Sequence, residues 1–418
     1  MHRTFASFVS LYLSTAILLI GNGLLGSLVP LRADADHLSA TTLGWIGGAY
    51  FAGFLAGCVF CPRVVRRAGH IRSFGAFAAA ASSAPLVLAL IVEPLTWCFF
   101  RALTGFCFAG LYMVIESWIN EKATNETRGS LFSIYLIVNF IGIVLGQLLL
   151  NAASPAGFVL FAIVSILTSA ALIPVSLTRS VQPAPIQTVN IDVRAIYRLS
   201  PVGFVGCFVV GLTNSPFWTM GPVFATRAGL DIAGASYFMT SAILGGALAQ
   251  WPVGRISDRV DRRKVIIGVC LVAAVGETLL MLAGSSGHPW LLLPAGFLFG
   301  CSALTLYSLC VAHANDNAGS REFVSVSSGL LVAYAGGAII GPVAASWVTP
   351  LLGFPAIFLF MASIHGLFVL FVLYRITRKE SVPAESRADF VSIAISRTGP
   401  DPVELDPRNS PPGAAAAE

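Results

Sequence analysis

Two stretches of this chain repeat one layout. Residues 254–263 read GRISDRVDRR between two long apolar runs, and residues 62–72 read PRVVRRAGHIR between two others. A shift of 192 positions lays Pro62 on Gly254 and Arg67 on Arg259, and it also lays Asn22 on Asn214 and Pro30 on Pro222 without a gap. Equivalent patterns of apolar and turn residues dictate equivalent elements, so the chain is expected to fold as two related halves.

The runs between these turns set the solvent. Hydrophobic residues make up 56% of the 418 and charged residues 11%, against about 25% charged in a soluble domain. Most of the chain therefore faces lipid or other apolar side chains. A spanning helix needs about 20 apolar residues, and twelve such stretches are centred near residues 18, 51, 80, 108, 139, 167, 211, 243, 273, 300, 335 and 364. Strands of a membrane barrel would alternate apolar and polar positions, whereas 158–177 is apolar on every side. The expected fold is an all-α membrane protein with twelve transmembrane helices in two six-helix bundles. Residues 1–178 and 199–376 form the bundles, 179–198 the cytoplasmic linker, and 377–418 a Pro-, Ser- and Ala-rich disordered tail.

Charge gives the orientation. With both termini cytoplasmic, 22 of the 25 Lys and Arg residues fall on the inner side, Arg32 and Arg227 on the outer side, and Arg101 within a helix. This satisfies the positive-inside rule. The net charge of +5 then reports topology and contact with anionic lipid, and nucleic-acid binding is not expected. The first apolar run is longer than a signal-peptide core and shares in the repeat, so it is helix 1. The eight cysteines lie in apolar segments or at their inner ends, without disulfide or zinc spacing. The GNGLLG run at 21–26 has no surrounding strand to make it a nucleotide loop.

Two six-helix halves with a basic turn after helices 2 and 8 resemble the major facilitator superfamily. Gly254, Asp258, Arg259, Arg262 and Arg263 match its loop signature, with Asp261 in place of the second Gly. Upstream Arg67 and Gly69 are kept, while Pro62 and Arg66 replace the first Gly and the Asp. Glu121 before Arg128-Gly129, and Arg101 with Gly105, match further family spacings. GHIRSF, Trp97 and ESWIN are similar to the YcaD-type bacterial subgroup. The resemblance implies transport across the inner membrane by alternating access, with a central site between the halves. It also implies gating roles for Arg66, Arg67, Glu121, Arg128, Asp258 and Arg259. Where the family's antiporter signature in helix 5 has Gly-Pro, this chain has Gly146-Gln147. The family's Asp approaches the start of helix 11; with Arg66 in its place, Glu322 is expected to supply the missing anion.

Helix 4 carries the chemistry. Arg101, Gly105, Phe108, Tyr112 and Glu116 stay within roughly 80° of one another around the axis, and Arg101 and Glu116 stand about 22 Å apart along it. Embedded charges mark a pathway or a partner, so this stripe is expected to face the cavity, with Arg101 and Tyr112 binding solute and Glu116 coupling protons. The competing reading makes each charge an interhelix strut. Helix 10 repeats the stripe with Gly296, Gly300 and Tyr307, without its charges. Asn22 and Asn214, with Trp218 on nearly the same face as Asn214, complete the expected substrate site together with Tyr307; for the two Asn residues interhelical hydrogen bonding is the competing reading. Glu277 and His365, on peripheral helices, could pair at similar depth, but snorkelling or packing is the favoured expectation. Glycine pairs at 53/57, 142/146 and 337/341 are expected at packing and rocking surfaces.

The sequence thus points to a secondary transporter, acting as a monomer among lipids and moving a small, amphipathic or anionic solute with protons. No cofactor or metal is expected. No catalytic arrangement of Ser, His, Asp or Cys has a soluble pocket to work in, so the chain is not expected to be an enzyme. The alternative is a transporter-like receptor or lipid-handling protein.

Overall fold

The computed structural model describes residues 2–122, 127–177, 192–318, 323–378 and 390; the side chains of 2–7, 122, 128, 323 and 324 are outside that description. Twelve helices among these residues are long and apolar enough to cross a membrane. In the first half they are α1 (Phe8–Ala35), α2 (Ala40–Ala68), α3 (His70–Leu90), α4 (Pro94–Glu121), α5 (Gly129–Ala152) and α6 (Val159–Ser176). In the second they are α7 (Pro201–Arg227), α8 (Ile232–Arg259), α9 (Arg262–Gly284), α10 (Pro289–Asn315), α11 (Ser325–Leu352) and α12 (Ala356–Ile376). Within lipid a helix satisfies its own backbone hydrogen bonds, and among the described residues no strand occurs. A short helix, Val193–Leu199, precedes α7. Most of the expected linker and nearly all of the expected tail fall outside the described residues.

The duplication is visible atom by atom. Gly53 of α2 lies against the Ala102 carbonyl of α4, and Gly105 of α4 lies against the Tyr50 carbonyl of α2. In the second half Gly245 meets the Phe297 carbonyl and Gly300 meets that of Ala242, the same crossing between α8 and α10. Likewise a Cβ on Gly146 would lie 2.5 Å from the Ile20 carbonyl oxygen, and one on Gly341 would lie 2.6 Å from that of Leu212. Small residues let these backbones touch. The cap of α2 repeats as well: the Ser39 side chain accepts from Thr42 N, and at the equivalent place in α8 the Asp231 side chain accepts from Gly234 N. Each satisfies an amide that the helix leaves without an internal partner.

The two basic turns differ in backbone conformation at equivalent positions. Gly69 between α2 and α3 has φ of +82°, a left-handed conformation that glycine adopts without steric cost. Its counterpart Asp261 has φ of −53° and caps α9, accepting from Arg263 N at 3.0 Å. Where the first turn has a left-handed glycine, the second has a side-chain cap on α9.

One end of the bundle carries the basic turns, and at the opposite end the halves are tied together. Arg227 of α7 bonds Asp34 of α1 at 2.6 Å. Ser236 of α8 donates to the Gln147 carbonyl of α5 at 2.7 Å. A Cβ on Gly44 would lie 2.6 Å from the Pro342 carbonyl oxygen of α11, and one on Gly48 would lie 2.8 Å from that of Ile339. Gly47 sits equally close to the Thr219 side chain of α7. The glycines at 53/57, 142/146 and 337/341 therefore pack helices within a half. The surface on which the halves meet uses Gly44, Gly47 and Gly48 instead.

Candidate functional site

Below that closure lies a cavity between the halves. Its lining includes Gly26 and Pro30 of α1, Tyr50 and Phe51 of α2, Arg101 of α4, and Trp218 and Thr219 of α7. Its volume is about 20 Å³, enough for about one water molecule. Among the eleven lining residues Arg101 is the one charged side chain. Its guanidinium carbon rests 4.5 Å from the centre of the Tyr50 ring, a cation–π contact. The touching backbones of α2 and α4 at Gly53 and Gly105 bring the pair together. The second half has Ala242 and Gly296 at the equivalent places, so its wall carries neither member.

Aromatic rings continue from this pair towards the basic end. Tyr50 meets Phe51 edge to face at 5.2 Å, Phe51 meets Tyr334 of α11 at 6.5 Å, and Tyr334 meets Tyr307 of α10 at 5.6 Å. Tyr50 and Phe51 thus belong to the same apolar cluster as Tyr307, Leu331 and Tyr334 of the other half. This layer floors the cavity on the side of the basic turns.

The expected site residues separate into groups. Arg101 and Trp218 meet in the cavity, while Tyr307 lies in the aromatic layer. Asn22 donates through Nδ2 to Tyr112 Oη at 3.1 Å, joining α1 to α4. Asn214 donates to the Ala303 carbonyl of α10 at 3.2 Å, and its buried Oδ1 has no hydrogen-bond partner among the described residues. Glu116 is buried and accepts from Tyr135 Oη of α5 at 2.6 Å. Gln147, in the place of the antiporter proline, accepts from Ser27 Oγ at 2.6 Å and donates to the Gly23 carbonyl at 3.0 Å. Proline has no side chain able to make either bond.

At the basic end Arg66, Arg67, Glu121 and Arg259 are exposed. Two cations of the second turn are buried, Arg262 and Arg263; Arg262 bonds Asp316 at 2.8 Å and Asp258 at 3.3 Å. Asp258 also accepts from the backbone amide of Phe390 at 2.9 Å, and the Phe390 ring covers Gly254. Burial pushes the Asp261 carboxyl up, but hydrogen bonds from Arg263 outweigh it and hold the group below its ordinary value. The Arg128 side chain and all of Glu322 lie outside the described residues, and so does the expected Arg66–Glu322 pair. Glu277 and His365 neither snorkel nor merely pack. They are fully buried and pair at 3.0 Å, with Thr213 of α7 3.5 Å from the imidazole. A buried polar group needs a hydrogen-bond partner, and each of these two supplies one to the other.

Tyr50, Thr219, Tyr135 and Asp316 escaped the reading of the sequence. For Tyr50 a signal existed: glycines at 53 and 105 mark where α2 and α4 touch, and the residue one turn before Gly53 must then flank Arg101.

Comparison with known proteins agrees with this architecture. The model of the Major Facilitator Superfamily matches residues 11–246 and again residues 203–405. The chain is 28% identical over 378 residues to an uncharacterized MFS-type transporter, YcaD, of Escherichia coli O6:K15:H31, covering 88% of this chain and 96% of that one. It is equally identical over 375 residues to YcaD of Shigella flexneri, with the same coverage. The crystal structure of the nucleoside transporter NupG superposes with a TM-score of 0.74 at 12% identity, covering 91% of this chain and all of NupG (100%). A bacterial homologue of the human lysosomal transporter Spinster gives 0.66 at 14% identity, covering 90% and 95%. At such identities the structural likeness is one of fold. Two matches to one family model, in a chain whose halves repeat each other around a shared cavity, place the protein in the Major Facilitator Superfamily as a membrane solute transporter of the YcaD type.

Proposed function

We propose that this transporter moves a small organic solute across the bacterial inner membrane by alternating access, driven by protons through Glu116, with both termini in the cytoplasm. The observation that carries the reading is the cavity between the halves, closed at one end by direct contact of α2 with α11 and floored by aromatic rings at the other. A molecule of two rocking halves needs such a compartment, and closure at one end is one of its required states. With the basic turns inside, the closed end is the external one. The Asn22–Tyr112 and Glu116–Tyr135 bonds tie helices α1, α4 and α5 into one unit, so protonation at Glu116 can bias that unit's position. The experiment is a thermal-shift screen of the purified protein against metabolites and drugs, followed by counterflow of each stabilising solute in proteoliposomes. A ligand at 100 times its dissociation constant stabilises the folded state by about 2.7 kcal/mol. Saturable counterflow supports transport; binding without movement supports a receptor.

A further inference from the structure

We propose that His70 is a proton-binding site at the basic end, and that its protonated form pairs with Glu121 to tie the start of α3 to the end of α4. This site is separate from the cavity and from Glu116.

The two halves hold different chemistry at equivalent positions. The shift of 192 lays His70, the first residue of α3, on Arg262, the first residue of α9. A shift of 195, which lays Pro94 on Pro289 at the starts of α4 and α10, lays Glu121 on Asp316. In the second half these two positions hold a buried ion pair, Arg262 with Asp316 at 2.8 Å, and Asp258 adds a second carboxylate at 3.3 Å. A cation on the first residue of one helix and an anion at the end of another each oppose their own helix dipole, so each gains from the other. The first half keeps the acid, replaces the arginine by histidine and carries Arg66 at the place of Asp258. Its tie therefore has one acid and one base, and the base is the side chain that ordinarily changes charge near neutral pH.

The surroundings of His70 leave a pair to be made. The imidazole is buried, 3% exposed, and its ring centre lies 6.0 Å from that of Trp118. Among the described residues its Nε2 has no hydrogen-bond partner, and the same holds for Ser73 Oγ one turn on and for Trp118 Nε1. Buried polar atoms are ordinarily paired, so three without partners on two adjacent helices mark a place that another arrangement completes. Glu121 is exposed and is the charged group that acts on the ring across space. No ion pair joins the two among the described residues. Arg66 and Arg67 of α2 and Arg72 of α3 are exposed to solvent, and Glu116 of α4 is engaged by Tyr135. The helix α6, which packs on α3, carries no titratable side chain; the Lys122 and Arg128 side chains lie outside the described residues. An imidazolium cannot stay buried without an anion, so protonation brings the ring and Glu121 together through a charged hydrogen bond. The second half is then tied by permanent charges, and the first only while His70 holds its proton. The basic turns of the two halves thus respond unequally when the compartment they face turns acidic.

The test uses the full-length protein in detergent and follows tryptophan emission from about pH 5 to pH 8.5, because an imidazolium against an indole quenches it far more than a neutral imidazole does. Wild-type emission is expected to fall in one step as pH falls. Trp118→Phe should remove that step, which assigns it to this ring among the seven tryptophans. His70→Gln keeps a hydrogen-bonding side chain that cannot titrate and should remove the step as well. Glu121→Gln takes away the anion that favours the imidazolium, so the midpoint should move to lower pH by about 0.4 to 0.7 unit, the scale of a partly exposed pair. The tie itself is read from thermal midpoints: His70→Gln and Glu121→Gln should be non-additive at about pH 5.5, where the pair is charged, and additive at about pH 8.5. Monodisperse elution confirms that each variant is folded, and His70→Asn takes the place of His70→Gln should the latter aggregate. An absent step, or a step that survives the loss of His70, overturns the proton site. A midpoint unmoved by Glu121→Gln, or additivity at both pH values, overturns the tie to α4.

Discussion

Glu116 shows how much one side chain's surroundings add to its identity. The sequence placed an acid on the stripe of Arg101; the structure buries it and sets Tyr135 Oη against it at 2.6 Å. Glutamine in its place keeps a carbonyl able to accept that bond but cannot titrate. Glu116→Gln is therefore expected to bind solute like the wild type and to lose the pH dependence of uptake in liposomes, while Tyr135→Phe slows uptake but keeps it. Uptake by Glu116→Gln that still follows pH would remove Glu116 from coupling. Arg101, Trp218 and Glu116 were legible because polar or large aromatic groups stand out within apolar helices. Tyr50 and Tyr135 were not, because an aromatic residue is ordinary in such a helix and gains its meaning from a neighbour on another. Gln147 was legible only as a departure from a family pattern; its two bonds to α1 give that departure a structural cause.

The second helix, α2, presents glycine to α4 within its own half and to α7 and α11 of the other, and the two kinds of contact have different consequences. Gly53 packs on α4 inside its own half, whereas Gly44 and Gly48 meet the backbone of α11 across the interface. A methyl group at Gly48 would lie 2.8 Å from the Ile339 carbonyl oxygen, closer than carbon and oxygen can pack, and a backbone carbonyl has no rotamer with which to yield. Overpacking of this kind costs about 1–3 kcal/mol, and it applies only while the halves are closed at this end. Gly48→Ala and Gly44→Ala are therefore expected to fold normally and to shift the population towards the state open at that end by about 5- to 150-fold. Gly53→Ala should instead lower thermal stability in every state. Accessibility of an engineered cysteine at Ile46, in a background without native cysteines, distinguishes the two outcomes. Unchanged accessibility in both interface variants would mean that α2 and α11 do not form the closing surface. The sequence revealed the glycine spacing and its repetition between halves, but not which face meets which helix. Spacing by four marks a close crossing without naming the partner.

For the molecule as a whole, twelve helices, two halves and the repeated turns could be read in advance, since lipid leaves few choices of element and duplication fixes their order. What could not be read is the state in which the halves stand, because closure depends on contacts between residues far apart in the sequence, from 89 positions for Ser236 and Gln147 to 193 for Arg227 and Asp34 and farther still for Gly44 and Pro342. The most testable of these is the latch at the end opposite the basic turns. Arg227 bonds Asp34 through both Nε and Nη2, at 3.0 and 2.6 Å, and its guanidinium also lies 4.6 Å from the centre of the Phe354 ring. The latch thus joins α1 of one half to α7 and the approach to α12 of the other. Both partners are partly exposed, with 47% and 25% of their side-chain surfaces accessible, so water and salt screen the attraction. A pair of this kind contributes about 0.5–1 kcal/mol, enough to change the ratio of closed to open molecules by about 2- to 5-fold but not to lock the transporter. A latch that weak is compatible with the proposed alternating-access cycle, in which this end opens in every turnover and a stronger latch would trap it. Spin labels at His37 and Ser286, exposed positions in the two halves at this end, report the separation directly. Asp34→Asn and Arg227→Gln are each expected to populate the longer distance, and the double substitution to add little beyond either one, giving a coupling of about 0.5–1 kcal/mol. The effect should shrink as salt rises towards 1 M, where the screening length falls to about 3 Å. Additive effects of the two substitutions, or a distance distribution indifferent to both, would show that glycine packing alone closes this end.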